Sequence, residues 1–374
     1  MPVARIVQRG FILLCSLAGL LMVPAAAFAQ AQEDGVEVTG PRSWWLPQDV
    51  STFGHEVDWL FNVILWMTLI VGAAVFVVLI VFLIKYRYNP NRTAVYIHGN
   101  NKLEIVWTLV PALIMAATAA LSQASWARMK NPADWPNDAE MHKKVMAGEV
   151  IHVEVIGQQF NWIIRYPGKD GKFGPRHVEL IGPTDLNTKI GLNRKENIFK
   201  FKSGETLHGV IVSEDKKTGE IQLKVDGESK PRAVKRSDIA STESWGKDDI
   251  VASTLVVPVN KKVFIKLSSL DVLHSFFLPN MRVKQDAVPG LSIKVWFEAT
   301  RLSEEVIGRT TKENATPEQI DFFELAKPYE IVCAELCGLG HSTMRGELFV
   351  VIDDIYNRWM KDQESLLPSD DDGF

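Results

Sequence analysis

The chain has only three cysteines in 374 residues, too few for the disulfide framework of a small secreted protein. It has no basic excess: 41 Lys and Arg stand against 45 Asp and Glu, a formal charge of −4, so no electrostatic footprint for nucleic acid is present. No Cys-x-x-Cys-His run occurs, which excludes a c-type haem attached to this chain. Two stretches lack charge altogether, Trp59 to Ile84 and Ile105 to Ala127. Soluble helices rarely run so far without a polar face.

Those stretches, about 26 and about 23 residues long, are each long enough to span a bilayer. Pro111 inside the second is tolerated, because neighbouring helices can satisfy the carbonyl it frees. Lys85, Arg87, Arg92 and Lys102 sit in the connecting loop, and basic short loops stay cytoplasmic. Before the spans, Arg5 and Arg9 precede an apolar run, Phe11 to Val23, and a small-x-small site, Ala27-Phe28-Ala29. This reads as a signal peptide over 1–29, cleaved after Ala29. Both readings put residues 30–58 and everything after about 130 outside, around a transmembrane hairpin over 59–127. Trp44, Trp45, Trp59 and Trp126 then fall near the outer interface, where indoles are favoured. The location is a bacterial inner membrane, with the C-terminal part on the periplasmic side. Glu104, one residue before the second span, is an interfacial carboxylate or the mouth of a proton path.

After residue 148 the pattern turns to short β-rich pieces: Ile151–Ile156, Phe160–Ile164, Thr254–Val259, Val263–Leu267, Leu273–Leu278, Ser292–Phe297, Tyr329–Val332 and Leu348–Ile352. Gly, Pro and Asn separate them. Many short strands without long helices between them imply an all-β sandwich or small barrel, here over 148–187 and 246–356. Residues 188–245 are rich in Lys, Glu, Ser and Gly and read as an inserted SH3-like β-module or as an excursion of hairpins. Glu304 to Gln319 reads as a loop or short helix. Residues 357–374 carry the end of an amphipathic stretch, Ile355 to Leu366, and an acidic tail.

The chemistry concentrates in Cys333-Ala-Glu-Leu-Cys-Gly-Leu-Gly-His-Ser-Thr-Met344. Two thiols, an imidazole and a thioether are soft ligands that select copper over magnesium or calcium. Spacings of four, four and three would share a helix face, but Gly338 and Gly340 argue against a helix and for a wrapping loop. A second imidazole, His274, is available in Asp271-Val-Leu-His-Ser. Structural zinc would leave Met344 idle. Mononuclear copper would leave one cysteine spare. A Cys333–Cys337 disulfide would leave both histidines and Met344 unexplained. A dinuclear copper site bridged by both thiolates employs them all.

The run Cys-x-Glu-x-Cys-Gly-x-x-His-x-x-Met resembles subunit II of haem–copper cytochrome oxidases, as do Lys284-Gln-Asp-Ala-Val-Pro-Gly290 and Leu103-Glu-Ile-Val-Trp-Thr-Leu-Val-Pro111. The resemblance implies a cupredoxin sandwich with a dinuclear Cu-A centre. Cys333 and Cys337 would bridge the coppers and His274 and His341 would each cap one. Met344 and the Glu335 carbonyl would be weak ligands, and the Glu335 carboxylate would reach a Mg2+ shared with subunit I. Glu104 would match a proton-channel entrance. The chain would take electrons from cytochrome c or another small extracytoplasmic donor and pass them to haem in subunit I, where oxygen is reduced and protons are pumped. Subunit I, other oxidase subunits and membrane lipid would be its partners.

Two departures concern electron uptake. Phe160 takes the place where the family shows Trp, and Trp162 matches the second Trp; either could serve as the uptake aromatic or pack in the core. Leu270 stands beside Asp271 where an acidic residue often helps dock a basic cytochrome, and Lys169, Lys172, Arg176 and His177 add basic charge. Both suggest a donor that is not strongly basic. The competing functions are a Cu-A subunit of a nitric oxide reductase and a membrane-anchored copper delivery or sensor protein.

Overall fold

The computed structural model describes residues 46–367 except 94, 97, 131–134, 178–179, 184, 196 and 306–325. The signal peptide, Trp44, Trp45, most of the 304–319 stretch and the acidic tail lie outside the described residues. The chain forms two compact units, a helical one within 53–130 and a β-rich one built from 47–52 and the residues after 130.

In the helical unit, α1 (Gly54–Lys85) and α2 (Asn101–Lys130) are both long and apolar enough to cross a membrane. Each runs past the uncharged stretch at both ends, because polar residues make good helix termini. Asn100 Oδ1 accepts the backbone N–H groups of Lys102 and Leu103, satisfying orphan donors at the start of α2. At the other end of the hairpin Arg128 pairs with Glu56 at 2.6 Å. The few polar side chains within the helices turn back on their own backbone: Asn62 donates to the Asp58 carbonyl, Thr68 to Ile64, Thr108 to Glu104 and Thr118 to Ile114. In hydrocarbon such groups need an internal acceptor.

The β unit opens with α3 (Asp138–Met146), which the strand-rich sequence pattern does not announce. Asn137 caps it by accepting the Glu140 N–H, and Met141 packs on Val150 and Phe264. The strands follow as β1 (Val150–Gln158), β2 (Asn161–Tyr166), β3 (Ile198–Phe201), β4 (Thr206–Asp215), β5 (Glu220–Val225), β6 (Arg232–Lys235), β7 (Ile239–Glu243), β8 (Ile250–Ala252), β9 (Leu255–Pro258), β10 (Lys262–Ser269), β11 (His274–Leu278), β12 (Val283–Ala287), β13 (Ile293–Glu298), β14 (Glu304–Glu305), β15 (Ala326–Lys327), β16 (Tyr329–Cys333) and β17 (Arg345–Val351). The short helix α4 (Leu186–Lys189) precedes β3, and α5 (Asp353–Ser365) follows β17.

Two five-stranded sheets, ordered β13-β10-β1-β2-β8 and β12-β11-β16-β17-β9, make the sandwich. The pairs β1/β10 and β17/β9 are parallel; the other pairs in these two sheets are antiparallel. Strand alternation sends Val153, Val155, Val263, Ile265, Leu267, Val295 and Phe297 inward, all buried. Residues 198–243 form a third sheet, β6-β5-β4-β3-β7, around its own core of Phe199, Leu223 and Val225. Arg165, buried on β2, ties the chain's return from this sheet to the sandwich. It bonds Asp249, Glu154 at 2.8 Å and the Gly174 carbonyl. Burial pushes the Asp249 carboxyl up against the pull of Arg165.

The stretch Phe160–Ile164 differs from the sequence reading at its start. β2 begins at Asn161, paired with Gln158, so Gln159 and Phe160 make the two-residue turn between β1 and β2. That shift places both beside the loops described next.

Candidate metal centre

His274 begins β11, Cys333 ends β16, and the chain from Cys333 to Met344 runs as a loop with a single 3-10 turn, His341–Thr343, before β17. Because β11 and β16 are paired, with Phe276 opposite Cys333, residues 59 apart in sequence meet at one end of the sandwich. Gly338 takes φ +132, a conformation other residues rarely adopt.

The two sulfurs are 3.8 Å apart and both cysteines are free and buried. His274 Nδ1 lies 3.8 Å from Cys333 Sγ, and His341 Nδ1 lies 3.7 Å from Cys337 Sγ. Met344 Sδ is 3.8 Å from Cys337 Sγ, and the Glu335 carbonyl is 3.2 Å from Cys333 Sγ. The loop thus brings together His274, Cys333, Cys337, His341, Met344 and the Glu335 carbonyl. The Glu335 side chain is exposed. Ligand atoms of His274, Cys333 and Cys337 lie within 4.8 Å of one another, and His341 falls outside that group.

A disulfide needs sulfurs about 2.05 Å apart, so these two are not bonded. Thiolates sharing a metal at about 2.3 Å each can be up to about 4.6 Å apart, which 3.8 Å fits. Burial pushes the Cys337 thiol up to about 11, with Cys333 beside it adding to the effect. Binding a metal here releases protons.

His274 is fully buried, and its Nε2 is 2.8 Å from Asp271 Oδ1. Nε2 therefore carries the proton and Nδ1 turns its lone pair to the sulfurs, the arrangement of a metal-bound imidazole held by a carboxylate. Burial pushes the Asp271 carboxyl up, but the Gln159 N–H, His274 and the Val272 N–H outweigh it and hold it below the usual range.

The two aromatics separate clearly. Trp162 is 1% exposed, and its ring meets His274 and Phe276 edge-on at 5.9 and 5.3 Å. Phe160 is 37% exposed, and its ring lies against the loop: a Cβ on Gly340 would come within 2.5 Å of it, and one on Gly338 within 3.2 Å. Leu336 and Leu339, in the same loop, are exposed. Glu104 belongs to the helical unit, exposed in the first turn of α2.

The basic residues each have a local partner, with exposed Lys172 lying 5.0 Å from the centre of the Trp245 ring. Arg176 pairs with Glu154 at 2.9 Å, Lys169 with Glu364 at 3.1 Å, and His177 is buried. Leu270 itself packs against Ile156, Ile163, Ile190 and Leu192. Sequence reading missed Gln159 and Asp271 as supports for the site. Their only signal was position, one in the β1–β2 turn and one three residues before His274.

Two family models match the chain: cytochrome c oxidase subunit II, transmembrane domain, over residues 41–124, and cytochrome c oxidase subunit II, periplasmic domain, over 234–312. The chain is 25% identical to an alternative cytochrome c oxidase subunit 2 of Bradyrhizobium diazoefficiens, covering 86% of this chain and 85% of that one. It is 29% identical to a cytochrome c oxidase subunit 2 of Cereibacter sphaeroides, covering 92% and 88%. Among solved structures, the periplasmic domain of subunit II of cytochrome oxidase (CoxB) of Bradyrhizobium japonicum overlaps 58% of this chain and 96% of that chain, at 19% identity and a TM-score of 0.28.

Proposed function

We propose, from the premise that this chain belongs to the subunit II family of haem–copper oxidases, that its Cys333–Met344 loop and His274 hold a dinuclear copper centre that relays electrons to subunit I. The chain is a subunit of an oxidoreductase complex, with two candidate membrane helices and a cupredoxin-like extracytoplasmic β domain. What carries the reading is one observation: two free thiols 3.8 Å apart, each with its own imidazole nitrogen 3.7–3.8 Å away. Donors to a single ion at 2.0–2.3 Å stay within about 4.6 Å of each other. His341 falls outside the group formed by His274 and the two thiols, which favours two ions sharing the sulfurs over one ion collecting all four donors.

When bound, two coppers sharing one unpaired electron supply a one-electron carrier. The protein holds the ligands in place beforehand, through the β11/β16 pairing, the Asp271 bond to His274 and the loop's tight turn at Gly338. Fixed ligands need little rearrangement when charge changes, which keeps the barrier to transfer low. Met344 and the Glu335 carbonyl would hold copper as weak ligands, and the exposed Glu335 carboxylate would be available to a Mg2+ shared with subunit I. Phe160 is the uptake aromatic, because it alone of the pair meets solvent and the copper loop; Trp162 is a core residue that backs His274. The donor is a cytochrome c or another small extracytoplasmic carrier that does not rely on strong basic charge. From this chain the electron passes to haem in subunit I for oxygen reduction coupled to proton pumping, with Glu104 at the mouth of a proton path. The β-module over 188–245 is an insertion that takes no part in the metal site, and residues 1–29 are a cleaved signal peptide.

The test is Cys337→Ser in the full-length chain. Loss of the copper pair's mixed-valence resonance is expected; survival of that resonance refutes the bridging role. Copurification with a haem-bearing subunit and oxygen consumption, with no nitric oxide reduction, separate an oxidase from the nitric oxide reductase and copper-delivery readings.

A further inference from the structure

Gln159 sits in the two-residue turn between β1 and β2, on the exposed side of the chain. An exposed glutamine ordinarily gives its amide to water. This one turns inward: Nε2 donates to the Cys337 carbonyl at 2.5 Å. Its backbone N–H donates to Asp271 Oδ2 at 2.7 Å, and the other oxygen of the same carboxylate holds His274 Nε2 at 2.8 Å. A Cβ on Gly338 would lie 2.9 Å from Gln159 Nε2, so the amide is seated against the loop backbone where it turns.

These contacts add a second link between two pieces of chain that the β11/β16 pairing brings together at Cys333. Residues 271–274 carry one imidazole, and residues 333–344 carry the thiols, the second imidazole and the thioether. Gln159 touches the first through its main chain and the second through its side chain. The backbone bond survives any substitution that keeps an N–H, so the side-chain bond can be removed alone.

We infer that Gln159 is a positioning residue for the metal centre, setting the distance between the His274 segment and the Cys337 half of the loop. The inference rests on the copper reading given above. Without the amide, the peptide after Cys337 loses the donor that fixes it beside Gly338, and Cys337 gains freedom to drift from the His274–Cys333 side. Groups that orient metal ligands in this way affect metal affinity by roughly 10–100-fold when changed.

The experiment uses the full-length chain purified in detergent within its complex. Gln159→Met keeps the bulk of the side chain and removes the donor; Gln159→Lys restores a donor; Gln158→Met is a neighbouring control. Copper loss to a chelator and the copper resonance are followed in each. Gln159→Met is expected to lose copper roughly 10-fold faster or more and to show altered hyperfine spacing. Gln159→Lys recovers most of the retention, and Gln158→Met matches the parent. Parent-like retention and spectrum in Gln159→Met overturn the inference. If Gln159→Met fails to assemble, the lysine variant decides: parent-like retention supports the role, and rapid loss overturns it. A parent chain that binds no copper refutes the function proposed above, an outcome distinct from any of these.

Discussion

Replacing Gly340 by alanine isolates the contact between Phe160 and the metal loop. Gly340 has φ −91, which alanine adopts without strain. The obstacle is the ring: an added methyl would lie 2.5 Å from both Cγ and Cδ2 of Phe160. The ring must shift to make room, and so leave its seat against the loop, where its other edge lies beside Gly338 and a Cβ there would meet Cε1 at 3.2 Å. Overpacking of this kind costs about 1–3 kcal/mol, a drop of roughly 2–12 °C in melting temperature for a domain of this size. In a Phe160→Ala background the obstacle is gone, and Gly340→Ala becomes neutral or stabilises by about 0.4–1 kcal/mol through the unfolded chain. The coupling between the two sites is therefore about 1–4 kcal/mol. Thermal unfolding of the four purified chains measures it. Equal costs of Gly340→Ala in the two backgrounds would show that the ring does not cover the loop, and the assignment of Phe160 to electron uptake would fall with it.

Other expectations concern the surroundings of the site. His152 is buried between Trp135 and Phe173, and burial, with Lys266 adding, lowers its pKa to about 3. The unfolded chain then binds the extra proton between about pH 6.5 and 3, so stability falls as pH drops through that window, by about 2 kcal/mol at pH 5; His152→Phe should flatten the acid limb of a melting-temperature profile, and an unchanged limb would contradict the burial. Trp162→Ala removes a fully buried ring and should cost about 3–5 kcal/mol in a melt, whereas Phe160→Ala costs less and slows electron uptake in stopped-flow mixing with the donor. Turnover with the physiological donor should change little with ionic strength, since the loop offers exposed Leu336 and Leu339; a steep fall with salt would reveal a charge-steered donor.

Much of this was readable from residue chemistry alone. Uncharged runs longer than a soluble helix tolerates marked both membrane helices, and the soft-ligand run from Cys333 marked the metal loop. Several strands were legible as short runs of β-branched and apolar residues between turn signals, as in Ile151–Ile156 and Val263–Leu267, which are buried along most of their length. β12 was not, because it is an edge strand and carries Lys284, Gln285 and Asp286 in its middle. α3 was hidden by its length: nine residues give a weak periodic signal, and tertiary packing of Met141 decides it. The roles of Phe160 and Trp162 could not be divided in sequence, because the β1–β2 turn sets which one faces the loop. Leu270 looked like a surface docking position and Asp271 like its exposed acidic neighbour; Leu270 is half-buried, and Asp271 stays exposed but is committed to the site. One extends an apolar cluster, and the other spends both carboxylate oxygens on the His274 and Gln159 segments.

The central claim is that Cys333, Cys337, His274 and His341 hold two copper ions that share one electron. A copper count together with an electron paramagnetic resonance spectrum of the purified full-length chain addresses it most directly. Two coppers per chain and a seven-line mixed-valence pattern are the expected result. One copper with a four-line pattern, or zinc in its place, would contradict it.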